Sequence, residues 1–203
     1  RGFKGKYVDY VVLFSGGKDS LALLLLSLEV IEDVKALFMD SSITLPETLN
    51  YVKETCSRLG VKLLISHPSM YRGTFHEFVR RYRYFPTIKR AWCKEKLKVR
   101  PAKVLLRKMY PQGNVLKLVG VRKAESSRRA KMYNGASIIE KDLEDHLNYI
   151  ARPILNLRNE DVLTVIKQHG VELNPAYGKV GIADCKWCPF YQPKIYVRVA
   201  RVY

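Results

Sequence analysis

The segment Ser15-Gly16-Gly17-Lys18-Asp19-Ser20 constrains this 203-residue chain more than any other. It follows a β-branched and aromatic run, Tyr7 to Phe14, which ends at the glycine pair and so reads as a buried parallel strand entering a tight turn. A helical pattern from Asp19 to Val30 comes next. A helix starting directly after such a turn aims its unpaired N–H groups and the positive end of its dipole at the strand's carboxyl end, which makes an anion site. Gly16 and Gly17 admit an oxyanion with no Cβ in the way, Ser15 and Ser20 add hydroxyl donors, and Lys18 adds a point charge. Asp19 beside phosphate requires a cation between them or a donor to orient, so it is assigned to Mg²⁺ or to orienting a donor. The spacing is not that of a Walker A loop, which has four residues between its first Gly and Gly-Lys-Ser/Thr.

The rest of the chain alternates strand and helix. Strands are expected at 34–39, 62–66, 114–121 and 137–139, and helices at 46–59, 74–83, 101–109 and 159–169, the last closed by Gly170. Right-handed crossovers then give an α/β fold: a doubly wound, mostly parallel five-stranded sheet with helices on both faces and an irregular C-terminal segment. One domain is expected over residues 1–203, with the core in 1–140 and a C-terminal helix and Cys-containing segment in 141–203. The first residue is Arg1 rather than Met, so the chain reads as a candidate fragment of a longer protein. Three motifs follow directly on strands, after Phe14, Met39 and Val119, and therefore converge on one crevice at the strands' carboxyl ends.

The net charge of +17 calls for an anionic partner, a polyphosphate or a nucleic acid. Most of the excess falls between Arg72 and Lys108, opposed only by Glu77 and Glu95. Tyr71, Phe75, Phe78, Tyr82, Tyr84, Phe85 and Trp92 interleave with these cations, a composition compatible with stacking on tRNA or DNA bases. Phe75, Phe78 and Tyr82 also repeat as one helix face, which suits packing on the sheet. The longest apolar run, Leu21 to Leu28, is too short to cross a bilayer, and no secretory signal pattern opens the chain, so no membrane association and a reducing, cytoplasmic setting are expected. Cys185-Lys186-Trp187-Cys188-Pro189 then reads as half of a metal site. Cys56, at helical spacing with Leu49, Val52 and Leu59, reads as core. The four histidines form no catalytic or metal spacing.

Ser-Gly-Gly-x-Asp-Ser after a strand is the signature of the PP-loop ATP pyrophosphatases, and the rest of the chain resembles their sulfonucleotide reductase branch, which acts on phosphoadenosine phosphosulfate (PAPS) or adenosine phosphosulfate (APS). Phe38 to Thr48, with Asp40 and Pro46-Glu47-Thr48, resembles that branch's second motif. Gly120-Val121-Arg122-Lys123-Ala124-Glu125-Ser126-Ser127-Arg128-Arg129 resembles its Gly-x-Arg-x-x-Glu-Ser-x-x-Arg motif, and Pro153 to Cys188, with Asn174-Pro175-x-Tyr177 and Cys-x-x-Cys-Pro, follows its closing stretch. The resemblance spans nearly the whole chain. It implies that Asp40 lies near an adenosine and that Gly120, Arg122, Glu125, Ser126 and Arg129 close over the phosphate end, with Lys18, Asp19, Arg122 and Arg129 as catalytic candidates.

Cys93 to Pro101 resembles the iron–sulfur members of the family, except that Lys94 stands where they carry the second Cys of a pair. The resemblance thus implies a [4Fe-4S] cluster on Cys93, Cys185 and Cys188 with one iron open; Zn²⁺ or free redox thiols remain open as alternatives. Three functions follow. The first is binding of PAPS or APS for sulfur reduction or transfer; no Cys follows Cys188, so the thiol or sulfur must come from a donor protein or from sequence outside this chain. The second is ATP-dependent thiolation of tRNA or DNA, with release of AMP and pyrophosphate. The third is a non-catalytic nucleotide-binding subunit.

Overall fold

The computed structural model describes residues 7–203. In chain order the elements are β1 (Asp9–Leu13), α1 (Lys18–Val30), β2 (Val34–Met39), α2 (Pro46–Arg58), β3 (Leu63–Ser66), α3 (Phe75–Tyr82), α4 (Arg100–Met109), β4 (Val115–Leu118), α5 (Ser127–Met132), β5 (Ile139–Lys141), β6 (Tyr149–Ala151), α6 (Asn159–Gln168), α7 (Ala176–Val180) and α8 (Pro193–Val202). They build one sheet in the order β3-β2-β1-β4-β6-β5. All neighbours are parallel except the edge strand β5, which runs antiparallel to β6. The strand order reverses between β1 and β4, and in such sheets that switch point is where loops leave room for a ligand.

The period-two alternation of β1 decides which helices cover which face. Val12 and Phe14 point into a core that includes Leu21 to Leu25 of α1, Val52 and Cys56 of α2, and Val162 and Ile166 of α6. Val11 and Leu13 point the other way, into a smaller core with Ala102 and Leu106 of α4. The doubly wound α/β expectation holds. Each fully buried Leu, Val or Phe here stabilises the fold by about 1.5–3 kcal/mol before entropy is counted.

Four expectations need correction. The sheet has six strands, not five: Tyr149–Ala151 inserts between β4 and β5, and the strand expected at 137–139 is the antiparallel edge at Ile139–Lys141. Polar groups close the segment 141–152. Asp142 pairs with the buried Lys117, the Asp142 amide donates to the Asn148 carbonyl, and the Asn148 amide donates to the Asp145 carbonyl. The C-terminal segment is not irregular, since α7 and α8 pack Ala176, Val180 and Val199 around Leu45.

The apolar face of α3 does not lie on the sheet. Phe75 and Phe78 join Trp92, Leu97, Ile43 and Cys185 in a separate cluster beside it. Finally, the helix expected to begin at Pro101 is already helical from Lys94, through a π-turn at Lys94–Val99 that leads straight into α4. Pro101 has no N–H to give and its ring would crowd the preceding turn, so a widened turn just before it lets the helix continue.

Candidate functional site

Helix α1 begins without a side-chain cap. Its N-cap is Gly17, and the first intrahelical bond runs from the Leu21 amide to the Gly17 carbonyl, so the amides of Lys18, Asp19 and Ser20 lie ahead of it. The turn is fixed from below instead. Ser20 Oγ donates to the Gly17 carbonyl at 2.9 Å and accepts from the Ser15 amide at 3.2 Å, while the Asn174 amide group donates to the Gly16 carbonyl at 3.2 Å. Gly16 has φ +79°, and a Cβ there would meet Thr48 and Val52 at 3.0 Å. The Tyr177 hydroxyl, 3.3 Å away, accepts from the Lys18 amide.

Asp19 is the hub of the charges. Its Oδ1 accepts from Lys18 Nζ at 3.0 Å and from Arg122 Nε at 2.8 Å. Asp19 thus holds two cationic donors in place. Arg122 is only 2% exposed, and its Nη1 also donates to the Leu157 carbonyl. It reaches Asp19 because the loop after β4 lies against the start of α1 at Gly120, where a Cβ would meet Ser20 Cα and N at 3.0 Å. Glu125 accepts from the Arg122 amide at 2.8 Å and pairs with Arg129, and Ser126 Oγ caps α5 by accepting from the Arg129 amide at 3.2 Å. The loop after β2 is organised by Asp40, whose Oδ1 accepts from the Ser42 amide at 3.0 Å and from Thr44 Oγ1 at 2.8 Å.

The structure thus gathers Ser15 to Ser20 with Gly120 and Arg122 at the β1/β4 switch point, and places Arg129 one ion pair further out on Glu125. Three contributors carried no individual assignment from sequence: Tyr177, Asn174 and the buried Ser41. The signal for the first two was their place in Asn174-Pro175-x-Tyr177.

Cys185 adjoins the Asp40 loop of this crevice through Ser41. Cys185 is buried, and its thiol donates to Ser41 Oγ at 3.0 Å and to Asp184 Oδ1 at 3.3 Å. Cys93 packs at the edge of the same aromatic cluster, and its thiol is pushed up by burial and then by the nearby Cys188. Burial raises Cys188 too and takes Cys185 up to about 12, against the opposing pull of Lys98. Lys98 and Asp184 form an ion pair of 2.7 Å in which each holds the other charged in spite of desolvation. Among the described residues no three His, Cys, Asp or Glu side chains form a group that could hold a metal ion. Of the three thiols expected as ligands, that of Cys185 is turned onto Ser41 and Asp184. Cys56 is core as expected, its thiol pushed to about 11 by burial.

An uncapped helix start at a parallel-sheet switch point, backed by an Asp that holds a Lys and an Arg, places the chain among PP-loop α/β proteins of the nucleotide-binding class. More narrowly, residues 9–198 match the phosphoadenosine phosphosulfate reductase domain, and the chain belongs to that family. Two uncharacterised proteins of Methanocaldococcus jannaschii are 32% and 30% identical to it, over 88% and 94% of this chain. The chain spans 36% and 44% of their lengths, less than half of either. Among solved structures, the PAPS reductase from Candida auris in a phosphate complex superposes with TM-score 0.62 at 19% identity, covering 88% of this chain and 82% of that one. The U34-tRNA thiolase NcsA from Methanococcus maripaludis, solved with its [4Fe-4S] cluster, also superposes with TM-score 0.62, at 15% identity, covering 98% and 66%. These similarities establish the shared fold. Among the described residues no helix is long and apolar enough to cross a membrane.

Proposed function

We propose that the crevice binds an adenylyl sulfonucleotide, PAPS or APS, for sulfur reduction or transfer. The phosphate lies on the amides of Asp19 and Ser20 and takes the Lys18 amide over from the Tyr177 hydroxyl, and the adenosine lies toward the Asp40 loop. The observation that carries this reading is Asp19, which holds Lys18 Nζ at 3.0 Å and Arg122 Nε at 2.8 Å beside an uncapped helix start. Cations fixed before the ligand arrives need no rearrangement as negative charge grows on a leaving phosphate, which is where such groups act most strongly. Arg129 on its Glu125 tether then covers the sulfate end, and Gly16 and Gly17 let the main chain come close. An external thiol or sulfur-donor protein supplies the attacking sulfur. Calorimetric titration with PAPS, APS and ATP with Mg²⁺ tests the reading: a sulfonucleotide should bind tighter than ATP, and indifference to all three would contradict it.

A second reading, ATP-dependent thiolation of a nucleic acid, draws on one observation. Cys93, Cys185 and Cys188 gather around the Lys98–Asp184 pair near exposed Phe85 and Trp187. Iron and zinc analysis of anaerobically purified protein, with release of pyrophosphate from ATP in the presence of tRNA as readout, separates this reading from the first.

A further inference from the structure

Two segments of the chain carry charge of one sign only. Residues 78–94 contain Arg80, Arg81, Arg83, Lys89, Arg90 and Lys94 with no Asp or Glu, and residues 185–203 contain Lys186, Lys194, Arg198 and Arg201, again with no acid. They are remote in sequence, yet aromatic rings join them in space. The Phe85 ring lies 6.5 Å from that of Trp187, and Trp187 lies 6.3 Å from Tyr196. A cleft of about 460 Å³ opens along this seam, lined by Pro86, Thr87, Ile88, Lys89, Pro189 and Tyr196. Phe85 is 60% exposed, Trp187 49% and Phe190 52%. Among the described residues none of Arg83, Lys89, Arg90, Lys194 and Arg201 has a carboxylate within ion-pair distance. A contiguous set of exposed rings marks a binding surface, and like-charged neighbours repel one another until an anion covers them.

The occupant must therefore bring flat apolar faces and negative charge together. An acidic peptide would meet the charge and leave the rings without planar partners, and a duplex hides its base faces in the stack. A single strand offers a base and a phosphate at every residue. We propose that this face, built jointly by the 83–90 loop and the C-terminal segment, docks single-stranded nucleic acid, with bases stacked on Phe85 and Trp187 and phosphates on Arg83, Lys89, Arg90 and Lys194. The docking face is distinct from the crevice and does not rest on which nucleotide the crevice takes.

The test is fluorescence anisotropy of the whole chain with labelled uridine or thymidine strands of about twelve nucleotides, a duplex of equal length, and polyglutamate, each at low and high salt. Trp187 gives a second readout, because the other tryptophan, Trp92, is only 9% exposed. Expected results are binding of a single strand with quenching of tryptophan emission, a steep loss of affinity with salt, and weaker binding of duplex and polyglutamate. A preference between uridine and thymidine strands tells RNA from DNA, and either supports the proposal. Phe85→Ala with Trp187→Ala should weaken strand binding by ~tenfold or more, and Lys89→Glu with Arg90→Glu should do the same without removing any ring. Lys18→Ala should leave strand binding intact while reducing nucleotide binding, which keeps this test separate from that of the crevice. Duplex or polyglutamate binding as tight as the single strand, or wild-type strand affinity in both double variants, would overturn the proposal.

Discussion

The crevice at the β1/β4 switch point and the aromatic seam beside the thiols are both basic, but they hold their cations in opposite ways. In the crevice Lys18 and Arg122 share Asp19 and Arg129 is held by Glu125, so each cation has a carboxylate from the same chain. At the seam, residues 78–94 and 185–203 supply no acid at all. Paired cations are held in position and suit one anion in one geometry; unpaired ones stay adaptable and suit a long, variable polyanion. The difference also relocates the meaning of the net charge. The +17 excess is concentrated away from Lys18, Asp19, Arg122, Glu125 and Arg129, three cations set against two carboxylates.

Substitutions can break or sharpen this contrast. The largest effect is expected for Arg122→Met, which leaves Asp19 with Lys18 alone and costs about 3 kcal/mol of stability, together with nucleotide binding; denaturant unfolding and calorimetry check both. Arg90→Met, an exposed cation at the seam, should change stability by no more than about 0.5 kcal/mol. Equal losses from the two would erase the distinction between held and adaptable cations. Lys18→Ala should weaken nucleotide binding by about 1.5–3 kcal/mol through loss of a charge-assisted contact, with little change in thermal stability. Gly120→Ala should cost about 1–3 kcal/mol, since its Cβ meets main-chain atoms of Ser20 at 3.0 Å and pushes the loop after β4 away from α1; nucleotide affinity should fall with it, while strand binding at the seam persists.

A separate expected effect concerns pH. Burial pushes the Glu47 carboxyl up, but hydrogen bonds from Lys179 and Tyr203 outweigh it and hold the group down at about 2, against an ordinary 4.5. A depressed folded value means that this contribution is complete above 4.5 and is lost as pH falls through that range toward about 2. Glu47 ties Lys179 of α7 and the terminal Tyr203 to α2, so acid should loosen the C-terminal segment first. Glu47→Gln should flatten the acid limb of stability measured by circular dichroism.

How much of this could be read from sequence follows physical lines. β1 to β4 and the helices between them were legible because each is an apolar run or a periodic face bounded by Gly or Pro. The crevice loops were legible because they fall directly after those strands. β6 was hidden because Tyr149–Ala151 is too short to show a period and is surrounded by polar residues. α8 was hidden because its apolar positions, Ile195, Val197, Val199 and Val202, are β-branched and weaken the helical signal. The Asp19 hub could not be foreseen, since sequence puts Asp19 beside Lys18 but does not show that Gly120 lets Arg122 reach Asp19. What sequence could not show is that Ser41 and Asp184 engage the Cys185 thiol, because Cys-x-x-Cys spacing says nothing about them.

The most direct measurement is a crystal structure of the chain soaked with adenosine phosphosulfate. Phosphate density within hydrogen-bond distance of the Lys18, Asp19 and Ser20 amides, with Lys18 and Arg122 still joined through Asp19, is the predicted result. Density elsewhere, with that helix start bare, would contradict the account.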